Sequence, residues 1–381
     1  MSRSIQLIEQ ACAATGLQDF GEDSFRDGLE RLVASVDTEA RLSDKGKVAF
    51  DRLMLSRLTT RLRIEDWYAR HPEIDEQQII APLIGLGLPR TGSTAMFHLL
   101  SMDPAVRTIR SWESMDPCPA QLVEGQEDPR IALAEQAMAH RNKVTPRKQT
   151  MLPSTARSPT ECGVLMSFDF KTQFFQSLVW VPSYSHWVMN DADLVPTYQY
   201  LKRVLKLLQW QRPPIRWRLK SPSHSQFIGD LFKVFPDARF WMTHRDVERV
   251  IPSVADLYFE QHTEYCDTAD MRAIGRFNEE CWELAMKKMI AFRDAGNEQR
   301  FFDVYFTPFQ KDPFPVLADL YRWLGEDLSD DALTRMRAWR ESTPRGKHGQ
   351  HDYAATDFGI DTTALQNRFR FYSTRFPGVA A

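Results

Sequence analysis

Between Leu83 and Thr94 the chain reads LIGLGLPRTGST, and no other stretch limits its fold as narrowly. Leu83-Ile-Gly-Leu-Gly87 is a short apolar run of strand length, Pro89 and Gly92 mark a turn, and Ser93 to Leu100 has helical apolar spacing until Asp103-Pro104 stops it. A strand, a glycine-bounded loop and a helix in this order form the first half of a βαβ unit. The glycines at 87 and 92 stand at the spacing that lets a loop curl around an anion at the amino end of the following helix.

The pattern G-x-x-x-x-G-x-[ST] is that of a Walker A loop with one change: Ser93 stands where the lysine belongs. Arg90 supplies a cation inside the loop instead, one that stays charged and can fork to two oxygens at once. Without the lysine, and without an apolar run ending in a magnesium-holding aspartate, a nucleoside triphosphatase or P-loop kinase is the weaker reading. Pro89, Arg90, Thr91, Gly92, Ser93 and Thr94 are therefore the candidate anion-binding set, with no metal expected.

Two further strands are expected at Arg216–Lys220 and Ala238–Thr243, each followed by a polar turn and a helix, and another at Phe301–Phe306. The helix after Ser221-Pro-Ser-His224 carries Phe227, Ile228, Leu231, Phe232 and Phe235 on one side. The fold class this implies is α/β, P-loop-like, a central parallel sheet flanked by helices, with ligands gathering at Gly87, Lys220 and Thr243. Residues 1–75 read as a helical N-terminal region, from apolar spacing such as Leu29, Leu32, Val33, Val36 and Leu53, Leu55, Leu58, Leu62. Residues 76–381 read as the α/β domain, with a mostly helical, aromatic-rich insertion at about 119–214.

Composition matters here for what it excludes. With 48 Lys+Arg against 51 Asp+Glu the net charge is −3, so no overall positive field attracts nucleic acid. The five cysteines are scattered without a C-x-x-C pair, which suits a reducing cytoplasm better than a disulfide framework. The longest apolar run, Ile79 to Leu88, is interrupted by Pro82 and two glycines, so no transmembrane segment is expected.

The segment Leu88-Pro-Arg-Thr-Gly-Ser-Thr94 resembles the phosphosulfate loop of the PAPS-dependent sulfotransferases, particularly their bacterial branch. A second likeness follows the third strand, where Arg245 and, eight residues on, Ser253 match the family's pair for the donor's 3′-phosphate. The likeness continues through Trp217–His224, Phe235–Phe240, His351-Asp-Tyr353 and Asp357-Phe-Gly359, covering most of residues 82 to 376. It implies that the loop holds the 5′-phosphosulfate of 3′-phosphoadenosine 5′-phosphosulfate (PAPS) without a metal. It also implies that a sulfuryl group passes to a hydroxyl, or less readily an amine, of a small acceptor, and that PAP is the product. Arg345 and Lys347, in Arg345-Gly-Lys-His-Gly349, resemble the segment that closes over the 3′-phosphate.

In-line sulfuryl transfer needs a base on the acceptor side and cations on the leaving-group side. Arg90 and Lys220 suit the cationic role. Two residues compete as the base. Glu113, in Ser111-Trp-Glu-Ser114, follows the loop helix by one short connection, where related sulfotransferases carry a carboxylate; His224, four residues after Lys220, resembles the histidine of the animal cytosolic branch. Glu113 is the preferred candidate, and both stay open at this point. The aromatic insertion suggests an apolar acceptor pocket. A catalytically idle nucleotide-binding protein is the remaining alternative.

Overall fold

The structure, a computed structural model, describes residues 2–120, 125–144, 147, 151, 153–210, 212, 216–343 and 354–380. Arg345, Lys347 and His351-Asp-Tyr353 lie outside these residues. The chain divides into two compact units, one of residues 1–79, 109–214 and 260–269, the other of residues 80–108, 215–259 and 270–381.

The first unit is built from helices. Three come early: α1 (Arg3–Thr15), α2 (Phe25–Glu39) and α3 (Asp44–Arg70). Ser2 and Ser43 start α1 and α3 by accepting the backbone N–H of Ile5 and Gly46 on their side chains, and Gly16 ends α1 in the left-handed conformation. The expected stripe Leu29, Leu32, Val33, Val36 of α2 is buried. In α3 the buried stripe differs from the expected one. Leu53 and Leu55 are only partly buried, and the core face runs through Phe50, Met54, Arg57, Leu58, Arg61, Leu62 and Glu65. Apolar spacing misses this face because three of its members are charged. Helices Pro129–Val144, Cys162–Met166, Phe174–Leu178, Pro182–Asn190 and Val195–Gln209 also belong to this unit.

The second unit holds a five-stranded sheet, β1 (Leu83–Gly87), β2 (Val106–Arg107), β3 (Arg216–Lys220), β4 (Arg239–His244) and β5 (Phe301–Tyr305). The strands lie in the order β2-β3-β1-β4-β5, and every pairing is parallel. All but β2 were expected from the sequence; two residues of β2 are too few to show a period. The strands β1, β3 and β4 are covered by the sheet's own helices, so they read as near-continuous buried residues. Helix α4 (Ser93–Leu100) packs Met96, Phe97, Leu99 and Leu100 with Leu83, Trp241, Val304 and the helix Pro313–Leu324 in one core cluster. The helix expected after the polar turn Ser221–His224 is the α-helix Ile228–Val234, and a 3-10 turn over Pro222–Gln226 precedes it. Phe227 N bonds the His224 carbonyl at 3.1 Å, three residues back, which tightens the segment below α-helical pitch.

Candidate functional site

Register fixes where the site lies. Gly85 pairs with Lys220 and Gly87 with Thr243, so the carboxyl ends of β3, β1 and β4 stand side by side. Chain order reverses direction around β1, the position at which open parallel sheets bind ligands. The loop after β1 occupies that position.

Inside the loop, Thr91 is fully buried, and its hydroxyl donates to the Leu88 carbonyl at 2.8 Å. Its single proton is thereby used, so in the short contact between Thr91 and Thr243 it is Thr243 that donates. This clamp ties the loop to the end of β4, and Gly87 N is held by Ser225 Oγ at 2.8 Å. Gly92 has φ +86°, and a Cβ there would lie 3.3 Å from Phe306 and Gln310, so the turn needs glycine. As the residue preceding α4, Gly92 has no side chain to occupy the first amides of the helix, which remain for an anion. Pro89 and Ser93 are buried, whereas Thr94 is exposed.

Arg90 has φ +61°, a left-handed conformation that costs a non-glycine residue about 1 kcal/mol. Two contacts hold it there. Arg245 Nη1 donates to the Arg90 carbonyl at 3.0 Å, and Arg90 Nε donates to Ser253 Oγ at 3.1 Å. The three residues singled out by the two sequence signatures are thus joined in one constellation. The Arg245 guanidinium also lies 4.1 Å from the centre of the Phe306 ring. Lys220, the last residue of β3, is 3% exposed.

Behind Arg245 lies a buried network that sequence reading missed. The Arg245 backbone is hydrogen-bonded to the hydroxyl of the fully buried Tyr372, which is 3.0 Å from His244 Nδ1. His244 Nε2 is 2.8 Å from Asp303 Oδ1, and Arg293 grips both Asp303 oxygens at 2.8 Å. Proton counting orders the chain: the Arg245 N–H donates to Tyr372, Tyr372 O–H to Nδ1, and Nε2–H to the carboxylate. Burial lowers the His244 pKa against the opposing pull of Asp303, so the ring is neutral. Burial alone would raise the Asp303 pKa, but the hydrogen bonds from Arg293 and His244 and the charge of Arg293 hold it well below the usual carboxylate range. A histidine directly before Arg245 was the one signal in the sequence; its partners stand 59 and 128 residues away.

The two candidate bases differ in surroundings. His224 sits in the 3-10 turn after β3, fully buried, and burial lowers its pKa to about 3. Glu113 belongs to the first unit, on the short helix α5 (Ser111–Met115), where it is 3% exposed and its Oε2 accepts the backbone N–H of Arg110 at 3.0 Å. Among the described residues no group of three His, Cys, Asp or Glu side chains comes together to hold a metal ion, and no helix is long and apolar enough to cross a membrane.

Comparison with known proteins brings these features together. A sequence profile of the Sulfotransferase family matches residues 82–330. The structure is similar to the crystal structure of sulfotransferase STF9 from Mycobacterium avium, with a TM-score of 0.91 and 30% identity over 99% of this chain and 97% of that one. It is also similar to sulfotransferase STF1 from Mycobacterium tuberculosis H37Rv, with a TM-score of 0.86 and 27% identity over 97% of this chain and 98% of that one. No curated protein sequence matches the chain.

Proposed function

The chain belongs to the sulfotransferase family, and from that premise we propose that it moves a sulfuryl group from PAPS to the hydroxyl of a small, apolar acceptor, releasing PAP. The observation that carries the donor assignment is the Arg90–Ser253–Arg245 constellation at the ends of β1 and β4. Two guanidinium groups and several hydroxyls, set around a helix start with free amides, suit a ligand with two separate anionic groups. The glycine at position 92, whose φ of +86° disfavours a side chain, suits close approach of one of them.

In the proposed reaction an S–O bond forms to the acceptor oxygen as the bond from sulfur to the phosphate oxygen breaks, and the acceptor proton goes to a base. Arg90 and Lys220 neutralise charge on the leaving oxygen, with Pro89, Thr91, Gly92, Ser93 and Thr94 shaping the loop around the sulfonated phosphate. Arg245 and Ser253 hold the 3′-phosphate, and Arg345 and Lys347 are proposed to close over it. No metal enters this scheme.

Glu113 is the proposed base. An imidazole held near pKa 3, as burial holds His224, has little affinity for the proton it would need to take. The apolar acceptor would lodge against the insertion, where Phe168, Phe170, Phe175 and Tyr184 form core while Phe174, Trp180 and Trp187 keep partial exposure. Transfer of labelled sulfuryl groups to a panel of phenols and alcohols tests the activity. Glu113→Gln should abolish turnover and leave PAP affinity intact; activity that survives this change but not His224→Ala reassigns the base.

A further inference from the structure

In helix α3, Arg57 and Arg61 stand one turn apart on the buried face, yet they are treated differently. Arg61 has a partner on every guanidinium nitrogen: it donates to the carbonyls of Phe20, Glu22 and Phe168 and pairs with Asp169. Arg57 is 7% exposed, its Nε has no hydrogen-bond partner, and no ion pair involves it among the described residues. Its guanidinium lies 5.3 Å from the Phe168 ring and 5.9 Å from the Phe174 ring, with the Tyr265 phenol close enough to act on its charge.

Burial lowers the Arg57 pKa to about 10, so the group is still charged at neutral pH. Contacts with ring faces return only a small part of the hydration such a charge gives up, and buried charges are ordinarily matched by an anion.

The surroundings are held firmly. Phe168 is fully buried. The Tyr265 carbonyl accepts from Ser43 N and Ser43 Oγ, and Gly46 packs so tightly on it that a Cβ would fall 1.8 Å from that oxygen. Phe174 and Tyr265 are only partly buried, so the charge has two partly exposed rings beside it.

We infer that the acceptor is itself an anion, and that Arg57 binds its oxyanion group, a carboxylate or a phosphonate-like head, while Phe174 and Tyr265 contact its aromatic or apolar body. This rests on the proposed sulfotransferase activity with its acceptor at the aromatic insertion, and it narrows the acceptor class from apolar alcohols to hydroxylated acids. The guanidinium fork matches two oxygens of such a head, and the rings exclude the water that would weaken the pair.

The test compares 3-(4-hydroxyphenyl)propionate, its methyl ester and 4-hydroxybenzylphosphonate, each titrated into the full-length protein and read by thermal shift, with and without PAP. The acid or the phosphonate should bind at least tenfold more tightly than the ester, and Arg57→Gln should erase that difference. The two anionic probes together show which head is preferred. Arg57→Lys, which keeps the charge, should retain part of the preference and guards against a variant that does not fold. Arg57→Met should melt at or above the wild-type temperature, because it removes a buried charge with no protein partner; a merely structural arginine would melt lower. Equal binding of acid and ester, a preference that survives Arg57→Gln, or no shift with any of the three probes overturns the inference. If PAP itself causes no shift, the sulfotransferase reading fails, while the acid–ester contrast measured without PAP still decides the role of Arg57.

Discussion

Replacing Tyr372 with phenylalanine takes away one oxygen and leaves two polar groups without their partner. The hydroxyl accepts the Arg245 N–H and lies 3.0 Å from His244 Nδ1, in a side chain with no exposed surface. His244 cannot compensate by changing tautomer, since Nε2 must keep its proton for Asp303, 2.8 Å away. Each stranded buried group costs about 1–3 kcal/mol, so the unfolding free energy from urea titration should fall by about 2–6 kcal/mol. The loss should also reach the ligand. A loosened Arg245 should weaken PAP binding by about tenfold, about 1.4 kcal/mol, while 5′-AMP, which has no 3′-phosphate, should bind as before. Calorimetric titration of both nucleotides against both proteins reads this directly. A stability change below about 0.5 kcal/mol together with unchanged PAP affinity would refute the ordering of the Arg293–Asp303–His244–Tyr372 chain.

Other perturbations have equally definite outcomes. Gly85→Ala places a Cβ 2.1 Å from the buried Trp241 ring, and urea titration should show a loss of about 1–3 kcal/mol or failure to fold. Thr243→Val removes the proton that Thr243 donates to Thr91 and should weaken PAP binding several-fold with little effect on helix content by circular dichroism. The buried His224 and His262 have pKa values lowered to about 3 and about 4, both by burial. The unfolded chain, with ordinary histidines near 6.5, binds more protons below that pH, so stability falls as pH drops. Between pH 7 and pH 5 each should cost about 2 kcal/mol, and urea titrations in His224→Gln should show a shallower slope than wild type. Arg245→Ala should cost about 2–5 kcal/mol of PAP binding and much less of 5′-AMP binding, which loses only the Arg245 support of the Arg90 carbonyl.

Which parts of the fold could be read from the sequence follows from how local their causes are. The strand, loop and helix from Leu83 to Leu100 are written in consecutive residues, because turn glycines and a buried parallel strand leave marks over a dozen positions. Arg245 and Ser253 were legible as a pair only through their resemblance to the family's signature. That Arg90 donates to Ser253 was not, because residues 90 and 253 meet only when β1 and β4 align. The network of His244, Asp303 and Tyr372 was hidden for the same reason, and β2 was too short to announce itself. The buried face of α3 escaped because Arg57, Arg61 and Glu65 look like solvent-facing residues in any apolar pattern.

The central claim is that the loop from Gly87 to Thr94, together with Arg245 and Ser253, holds a 3′-phosphorylated adenosine nucleotide. Titration calorimetry of the wild-type protein with PAP, 5′-AMP and Mg·ATP tests it most directly. PAP should bind at least thirtyfold more tightly than 5′-AMP, about 2 kcal/mol, in the presence of EDTA, and Mg·ATP more weakly still. Equal affinity for PAP and 5′-AMP, or tight binding of Mg·ATP with no PAP signal, would contradict it.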